Sequence, residues 1–278
     1  MTETAAFHTD WLVPQWPVPD SVKAVFTTRA GGVSTAPFDT LNLGSHVGDM
    51  PKSVAGNRAV LQRAVGTRRV VFLNQVHGIQ VALLEPNSLD GQEADACLTH
   101  HPMLACTVMV ADCLPVLLAA QDGSWVAAVH AGWRGLAGRQ NGSSQGIVES
   151  IYESFGAFAQ SGQTYPATKI IAWLGPCIGP GAFEVGEEVK AAFCAPHPES
   201  ANLFVRIAQE KYLANLAGLA RQRLQALGIT QIYGNDGSPP WCTVGNPSRF
   251  FSHRRDAGVT GNGVGATGRM AACIWLDR

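Results

Sequence analysis

Apolar residues fall into short runs separated by polar, glycine-rich or proline-rich turns, a pattern typical of a fold built largely from buried strands. The segment 108–135 is the clearest case, because it holds two apolar runs that are each long enough for a buried strand. The first run leads to Asp112 and Cys113, and the second leads to His130 and a tight turn at 131–135. Binding residues commonly lie on loops held by rigid elements, so we interpret this segment as the scaffold of a site.

The same pattern predicts the elements of the remaining chain. Apolar runs bounded by turn residues predict strands at 22–28, 69–73, 79–84, 169–174, 229–233 and 270–276. Helical spacing of apolar residues predicts helices at 51–65, 147–158, 185–193 and 210–227. Residues 1–20, the loop 86–95, the link 138–146 and the segment 234–265 are predicted to be irregular. Because strands and helices do not alternate in a regular βαβ rhythm, we predict an α+β fold with mixed sheets.

Composition limits the classes of protein that fit this pattern. A chain of 278 residues is near the upper limit for one hydrophobic core, and no repeat or linker divides it, so we predict a single domain spanning 1–278. With 20 basic and 21 acidic residues, the formal net charge is −1. This balance argues against nucleic acid or an anionic membrane as the main partner, since both require a basic surplus.

The chain start and the cysteines indicate a cellular compartment. The first twenty residues contain acids and prolines but no basic and apolar signal-peptide regions. The apolar run 103–120 is interrupted by Asp112 and Pro115, which favours two buried strands over a membrane span. The seven cysteines are not spaced in a pattern typical of disulfide pairs, and we expect them to be reduced thiols. We therefore expect a cytoplasmic protein.

Reactive side chains stand at the junctions between predicted strands and loops, namely His77, Cys113, His130 and Cys177. Their spacing is dispersed, unlike the CxxC pairs of a structural zinc site, and two imidazoles with a thiolate suit a zinc ion whose fourth position is open. Copper accepts the same ligands. Two other interpretations stay open: inert core or turn residues, and a Cys113 nucleophile with His130 as its base, oriented by Asp112 or Asp95.

Arginines near these junctions are candidates for anion binding, because guanidinium groups bind phosphate bidentately. Arg134 lies in the glycine-flanked turn after His130, Arg29 precedes a glycine pair, and Arg254 lies in an Arg-Arg pair. We interpret His100, His101 and His197, which lie in polar loops, as surface residues. The sequence contains no phosphate-binding GxxxxGK[ST] loop and no GxGxxG motif after a strand.

Six motifs, in this order, resemble the YfiH-like laccase-domain family, also called the polyphenol oxidase family. They are NQVHG at 74–78, ADC at 111–113, HAGWRG at 130–135, GPCIG at 175–179, FSHRRD at 251–256 and TGRM at 267–270. The resemblance runs from about Phe26 to Trp275, nearly the whole chain. Phe183 departs from the pattern, because a tyrosine often stands there in the family.

The resemblance implies a site and an activity. Family members bind zinc, or copper, through residues that correspond to His77, Cys113 and His130. They are purine nucleoside phosphorylases that cleave adenosine, inosine and S-methyl-5'-thioadenosine with phosphate, and they also deaminate adenosine. The implied fold is a layered α/β/α arrangement related to a toxin family of Cys–His hydrolases. We expect Asp95 to orient a ligand or handle a proton, and Asn74, Arg134, Arg29 and Arg254 to bind substrate or phosphate.

Rival functions remain at this stage. A copper-dependent polyphenol oxidase would need redox copper, and the absence of His-x-His pairs counts against a trinuclear copper cluster. A Cys–His amidase that edits peptidoglycan precursors would act through the Cys113 thiol. A metal-dependent binding protein would show no turnover. We expect the partners to be purine nucleosides and phosphate, and the protein to be a monomer or small homo-oligomer.

Overall fold

The computed structural model describes residues 7–66, 68–138, 145–156, 166–256 and 266–278. Within these ranges the strands are β1 (Val22–Phe26), β2 (Arg69–Phe72), β3 (Val81–Leu83), β4 (Ala96–Thr99), β5 (Leu104–Val110), β6 (Leu114–Ala120), β7 (Val126–Ala131), β8 (Ile170–Leu174), β9 (Glu184–Gly186), β10 (Phe204–Ala208), β11 (Lys211–Ala214), β12 (Gln231–Gly234) and β13 (Met270–Leu276). The α-helices are α1 (Pro51–Val65), α2 (Trp133–Ala137), α3 (Ile147–Gly156), α4 (Glu187–Cys194), α5 (Leu216–Ala226) and α6 (His253–Asp256).

Two large mixed sheets dominate the fold. The four-stranded sheet has the order β1-β13-β5-β2, in which β2 and β5 are parallel. The six-stranded sheet has the order β12-β8-β6-β7-β4-β3, in which the two outer pairs are parallel and the inner pairs antiparallel. A small antiparallel sheet, β10-β11-β9, is not hydrogen-bonded to either of them, and it packs in the same core cluster as the six-stranded sheet. The predicted α+β class with mixed sheets is confirmed.

The two large sheets pack face to face with helices on their outer sides. One core cluster combines Phe26 and Val108 of the four-stranded sheet with Leu117 and Ala128 of the six-stranded sheet. Helix α1 covers the outer face of the first sheet, and helices α3, α4 and α5 cover the outer face of the second. Strands β5, β6 and β13 are buried along their whole length because both of their faces are covered, which explains their nearly continuous apolar sequences.

The chain crosses from the four-stranded to the six-stranded sheet twice, and both crossings carry candidate residues. The segment 73–80 joins β2 to β3 and contains His77, and the segment 111–113 joins β5 to β6 and contains Cys113. His130 lies in β7 opposite Pro115 of β6. The fold therefore brings three distant parts of the sequence together at one end of the two packed sheets.

Several predicted elements need correction. The predicted helix 210–227 begins only at Leu216, because the side chain of Asn215 caps it by accepting a hydrogen bond from the Gly218 N–H at 2.9 Å. The residues before it form the hairpin β10–β11, which turns at Glu210 with φ +56°. The predicted helix 185–193 starts two residues later, after β9.

Other differences concern short elements around the site. The second apolar run of 108–135 contains two strands, β6 and β7, and β4 was not predicted at all. The tight turn predicted at 131–135 contains the start of helix α2, which begins after Gly132. The last two residues of the predicted helix 147–158 and part of the link 138–146 lie outside the described residues. None of the described helices is both long and apolar enough to cross a membrane.

Candidate active site

His77, Cys113 and His130 form one compact group, here called the central cluster. Their potential ligand atoms all lie within 4.8 Å of one another. The Cys113 Sγ atom is 3.7 Å from His77 Nε2, and the two imidazole rings meet edge to face with their centroids 4.8 Å apart. His77 adopts φ +61°, an uncommon conformation for a residue with a side chain.

Asp95 orients both histidines from beneath the cluster. Its fully buried carboxylate contacts His130 Nδ1 at 2.7 Å through Oδ1, and the same oxygen accepts the backbone N–H of His77 at 2.9 Å. Its Oδ2 atom accepts the N–H of Gly78 at 2.7 Å and that of Val76 at 3.2 Å. One carboxylate thereby fixes the imidazole of β7 and the whole loop that carries His77.

The ionisation of the cluster follows from this geometry. Burial alone raises the pKa of a carboxyl group, but the hydrogen bond and charge of His130 and the N–H donors of Gly78 and Val76 lower the pKa of Asp95. Burial also opposes charge on Cys113, yet the field and hydrogen bonds of His130 and His77 lower the pKa of its thiol to about 6. Against the effect of burial, the Cys113 thiolate and Asp95 raise the pKa of His130 to about 9.

The central cluster fits a zinc ion. Sulfur and nitrogen ligands at about 2.3 and 2.1 Å from a tetrahedral ion lie about 3.6 Å apart, close to the observed spacing of Cys113 Sγ and His77 Nε2, which is 3.7 Å. With Nδ1 of His130 held by Asp95, its Nε2 atom is the nitrogen left for an ion, as in carboxylate–histidine–zinc arrangements. The donor set of two imidazoles and one thiolate leaves the fourth position open.

Gly132 is required by the tight packing around the cluster. A β-carbon at this position would lie 2.8 Å from His77 Cδ2 and 3.2 Å from Cys113 Sγ. Gly135 is constrained in the same way, because a β-carbon there would lie 2.6 Å from the carbonyl oxygen of Gly78. Both glycines of the HAGWRG motif therefore let helix α2 approach the loop that holds His77.

A cavity of about 410 Å³ opens directly onto the cluster. Its walls combine apolar and polar side chains from both large sheets and from the C-terminal third of the chain. The lining residues are His46, Gln75, His77, Met109, Val110, Ala111, Asp112, Cys113, His130, Trp133, Ile178, Phe183, Leu216, His253, Arg254 and Arg269. This volume is within the usual range for small-molecule sites.

Two arginines, Arg254 and Arg269, are among the residues that line the cavity. Arg254 directs one nitrogen to the Glu184 carbonyl at 3.0 Å, and Arg269 donates to the Thr267 carbonyl at 3.0 Å, so both guanidinium groups are anchored by backbone oxygens. Burial and the charges of Arg269 and Arg58 lower the pKa of His46. An anion bound to either guanidinium group would therefore lie in the cavity that opens onto the central cluster.

Asp112 carries the only carboxylate among the residues that line the cavity, and both of its oxygens accept hydrogen bonds from other residues of the protein. It accepts hydrogen bonds from the Thr243 hydroxyl, from the Ser252 hydroxyl at 3.0 Å and from the Arg254 backbone N–H at 2.7 Å. Its φ of +93° turns the chain sharply just before Cys113. Asp112 thus connects the crossing 111–113 to the segment that carries Arg254, and it does not orient His130.

The other residues predicted to bind substrate do not line this cavity. Arg29 forms an ion pair with Asp39 at 3.1 Å and donates to the Pro247 carbonyl at 2.9 Å. Arg134 is exposed and stacks on the Trp133 ring, 4.5 Å from its centroid. Asn74 is exposed and its backbone bridges to Glu93. Of the predicted substrate residues, the structure brings only Arg254 to the cavity.

Sequence reasoning missed Arg269, His46 and His253 as lining residues. Arg269 and His253 belong to the TGRM and FSHRRD motifs, so the motifs signalled their region without assigning them a role. His46 ends the loop segment Leu41-Asn42-Leu43-Gly44-Ser45-His46, which carries no distinct signal. Cys177 is buried, and burial raises the pKa of its thiol, so it is a packing residue beside Cys242.

Comparisons with known proteins agree with this geometry. Residues 23–277 match the family model described as multi-copper polyphenol oxidoreductase laccase. A Pseudomonas aeruginosa protein named purine nucleoside phosphorylase PA4543 is 43% identical over 96% of this chain and 98% of its own length. The Escherichia coli protein named purine nucleoside phosphorylase YfiH is 44% identical, covering 95% and 98% respectively.

Solved structures give the same result. The Neisseria meningitidis protein NMB0706 superposes with a TM-score of 0.83 at 43% identity, covering 97% of this chain and 100% of that one. YlmD from Geobacillus stearothermophilus superposes with a TM-score of 0.81 at 29% identity, covering 94% of each chain. The resemblance seen in the six motifs is confirmed: the chain belongs to the laccase-domain family of YfiH-like proteins.

Proposed function

We propose that this protein is a metal-dependent purine nucleoside phosphorylase. The observation that carries the proposal is the meeting, in one cavity, of the central cluster with the guanidinium groups of Arg254 and Arg269. A phosphorolytic enzyme must hold an inorganic anion next to the glycosidic bond, and fixed cationic donors lower the free energy of such a nucleophile in a pocket. The names of the related bacterial proteins support the same activity.

The residues that line the cavity are assigned roles by their chemistry. Arg254 and Arg269 bind phosphate and align it for attack on the ribose carbon as the purine leaves. The apolar wall, including Met109 and Phe183, contacts the purine and excludes water from it. Phe183 carries no hydroxyl group, so recognition of the base by this wall rests on contact with the ring.

Zinc held by His77, Cys113 and His130 would supply a Lewis acid in the cavity, and copper is the alternative ion. Asp95 keeps the His130 ring in one orientation, with its Nδ1 atom bound and its Nε2 atom facing the cluster. Gly132 leaves the space that the three side chains need.

The proposed substrates are adenosine, inosine and S-methyl-5'-thioadenosine, and adenosine deamination is the proposed second activity. The three nucleosides share a purine and a ribose and differ at the 6-position and at the 5'-position. A cavity of about 410 Å³ with an apolar wall accommodates such variation better than one with many fixed polar contacts.

Phosphate saturation curves test the proposal. Arg254→Gln and Arg269→Gln should each lower kcat/KM for phosphate by about 10- to 100-fold, because a hydrogen bond to a charged group contributes about 1.5–3 kcal/mol. The matched control is Arg134→Gln, which removes an exposed arginine outside the cavity and should leave the curve unchanged. Equal effects of all three changes would refute the assignment of the anion site.

A second candidate is a Cys–His hydrolase, which is favoured by the lowered pKa of Cys113 beside His130. The two functions respond oppositely to the same treatments. A thiol hydrolase retains activity in a chelator and loses it on alkylation of Cys113. The proposed phosphorylase loses activity in the chelator, and zinc protects its thiol from alkylation.

A further inference from the structure

A second group of metal-ligating side chains lies outside the active site. Glu85, His100 and His101, here called the distal cluster, present ligand atoms that all lie within 4.8 Å of one another. His101 Nε2 is 2.6 Å from Glu85 Oε2, and the rings of the two histidines lie 4.1 Å apart, tilted by 35°. Glu85 and His101 are partly buried and His100 is exposed, so solvent and ions can reach the cluster.

The backbone beneath the distal cluster is held by a short hydrogen-bond network. The buried Thr99 hydroxyl donates to the Leu84 carbonyl at 2.9 Å and accepts the His101 N–H at 3.1 Å. Glu85 is fixed by the Ser88 hydroxyl, which accepts its backbone N–H at 2.9 Å. The two loops that supply the ligands are therefore connected before any ion binds, which lowers the entropic cost of assembling a site.

The distal cluster is separate from the central cluster. Strand β4 has Asp95, the partner of His130, just before its first residue, and Thr99 is its last residue. Four residues of extended strand span about 13 Å, so the two clusters lie at opposite ends of β4. An ion at the distal cluster is therefore too far away to share ligands with the central cluster.

We propose that Glu85, His100 and His101 form a second metal site, which binds a late first-row divalent transition ion such as zinc. Two imidazoles and one carboxylate are the donor set such ions accept, whereas calcium and magnesium favour oxygen ligands alone. An ion held by three protein ligands at an accessible position retains sites for water. Bound there, it cross-links the end of β3 to the end of β4.

The alternative to a metal site is an ion pair between His101 and Glu85. Such a pair would not need His100. The chain offers a matched control for this alternative in His197 and Glu199, which are 3.6 Å apart. That pair belongs to no group of three potential ligands among the described residues. The contribution of His100 is therefore the feature that separates a metal site from a histidine–carboxylate contact.

Zinc content after equilibrium dialysis tests the proposal in the full-length Cys113→Ala protein, in which the central cluster lacks its thiolate. We expect one zinc ion per chain to remain. Adding His100→Ala, His101→Asn or Glu85→Gln should weaken this binding by at least about 10-fold, the lower end of what loss of an outer-shell contact costs at a metal site. Adding His197→Asn should change nothing.

A cobalt titration of the protein with Cys113 intact keeps the test valid if Cys113→Ala fails to fold. Cobalt bound by the central cluster gives a sulfur-to-metal charge-transfer absorption, and cobalt at the distal cluster binds without it. His101→Asn should abolish the second equivalent and leave the charge-transfer band intact. A single equivalent in the unmodified chain, or a second equivalent that survives all three distal substitutions, would overturn the proposal.

Discussion

At the scale of single residues, the charge on Cys113 decides what the central cluster can bind. A thiol is a poor metal ligand and a poor nucleophile, whereas a thiolate is good at both. Burial works against the charge, but the fields of His130 and His77 outweigh it and set the pKa of Cys113 at about 6. The sulfur is therefore ionised at neutral pH before an ion arrives.

This ionisation predicts the pH profile of alkylation by iodoacetamide in metal-free protein. The alkylation rate of Cys113 should rise as the pH increases through about 6, because the thiolate fraction is half at the pKa, and should level off by pH 7 to 8. An ordinary thiol would show its midpoint near 9. Mass spectrometry of the labelled peptide measures the rate, and a midpoint near 9 would show that His130 does not stabilise the thiolate.

Gly132 provides a test of packing at the same scale. In Gly132→Ala the new methyl group would lie 2.8 Å from His77 Cδ2, so the imidazole must move and the three ligands must separate. We expect zinc affinity to fall by at least about 10-fold, as at other sites whose ligands are misoriented. Gly181→Ala is the control, because its β-carbon meets nothing within 4 Å; equal affinities in both variants would contradict the packing argument.

Single residues also mark the limit of what the sequence predicts. The three members of the central cluster, His77, Cys113 and His130, lie at junctions of strongly apolar strands, and this local signal predicts them together. Arg269 carries no comparable local signal, since it reaches the cavity only because β13 lies between β1 and β5. Arg29 is predicted to bind an anion just as Arg254 is, but Asp39 and the Pro247 carbonyl bind its guanidinium group, and it does not line the cavity.

At the scale of elements, the crossing 111–113 is connected to the segment before β13, which carries Arg254 of the cavity lining. Asp112 makes this connection by accepting the backbone N–H of Arg254 and the hydroxyls of Ser252 and Thr243. Its contacts are between loops, not within one element. A change at Asp112 should therefore alter the position of Arg254, to which we assign phosphate binding, while His77, Cys113 and His130 are all retained.

Asp112→Asn tests this connection. Asparagine tolerates the φ of +93° at this position and preserves the side-chain size, so the turn should form. Loss of the carboxylate charge weakens hydrogen bonds that contribute about 1.5–3 kcal/mol each, so Arg254 should be held less firmly. We expect KM for phosphate to rise several-fold with unchanged zinc content; a loss of zinc with unchanged KM would contradict this role.

Long elements with a clear apolar pattern match the predictions, whereas short amphipathic elements do not. Strand β13 and helix α1 lie close to their predicted ranges, because a continuous apolar run and a proline-to-glycine helical pattern are both unambiguous. The predicted helix 210–227 wrongly includes strand β11, because the alternation over Lys211–Ala214 is short and leads directly into α5; strand β10 is not predicted at all. Strand β11 also pairs with β9, more than twenty residues earlier in the chain, and this tertiary contact is not encoded by the local sequence.

At the scale of the whole molecule, a metal ion at the central cluster would tie together chain segments that cross between the two large sheets. His77 and Cys113 lie on the two crossings, and His130 lies within the six-stranded sheet. Ligands that bind only the folded state stabilise it by mass action, by about 2.7 kcal/mol when their concentration is 100 times Kd. Metal binding is therefore expected to stabilise the sandwich as a unit.

Removal of metal should lower the melting temperature measured by calorimetry. For a chain of this size about 2.7 kcal/mol corresponds to about 5 °C. In a His101→Asn background, which lacks a ligand of the distal cluster, adding His130→Ala should nearly abolish the response to chelator, whereas adding His197→Asn should leave it unchanged. An unchanged melting temperature on chelation of the unmodified protein would contradict a folded-state metal site at the sheet crossings.

The central claim is that the cavity uses phosphate to cleave a purine nucleoside. The most direct measurement is product analysis after incubation of the zinc-loaded protein with adenosine, with and without inorganic phosphate. We predict that adenine and ribose 1-phosphate form in equal amounts, only when phosphate is present, and that Cys113→Ala forms neither. Release of adenine with free ribose, independent of phosphate, or undiminished turnover by Cys113→Ala would contradict the account.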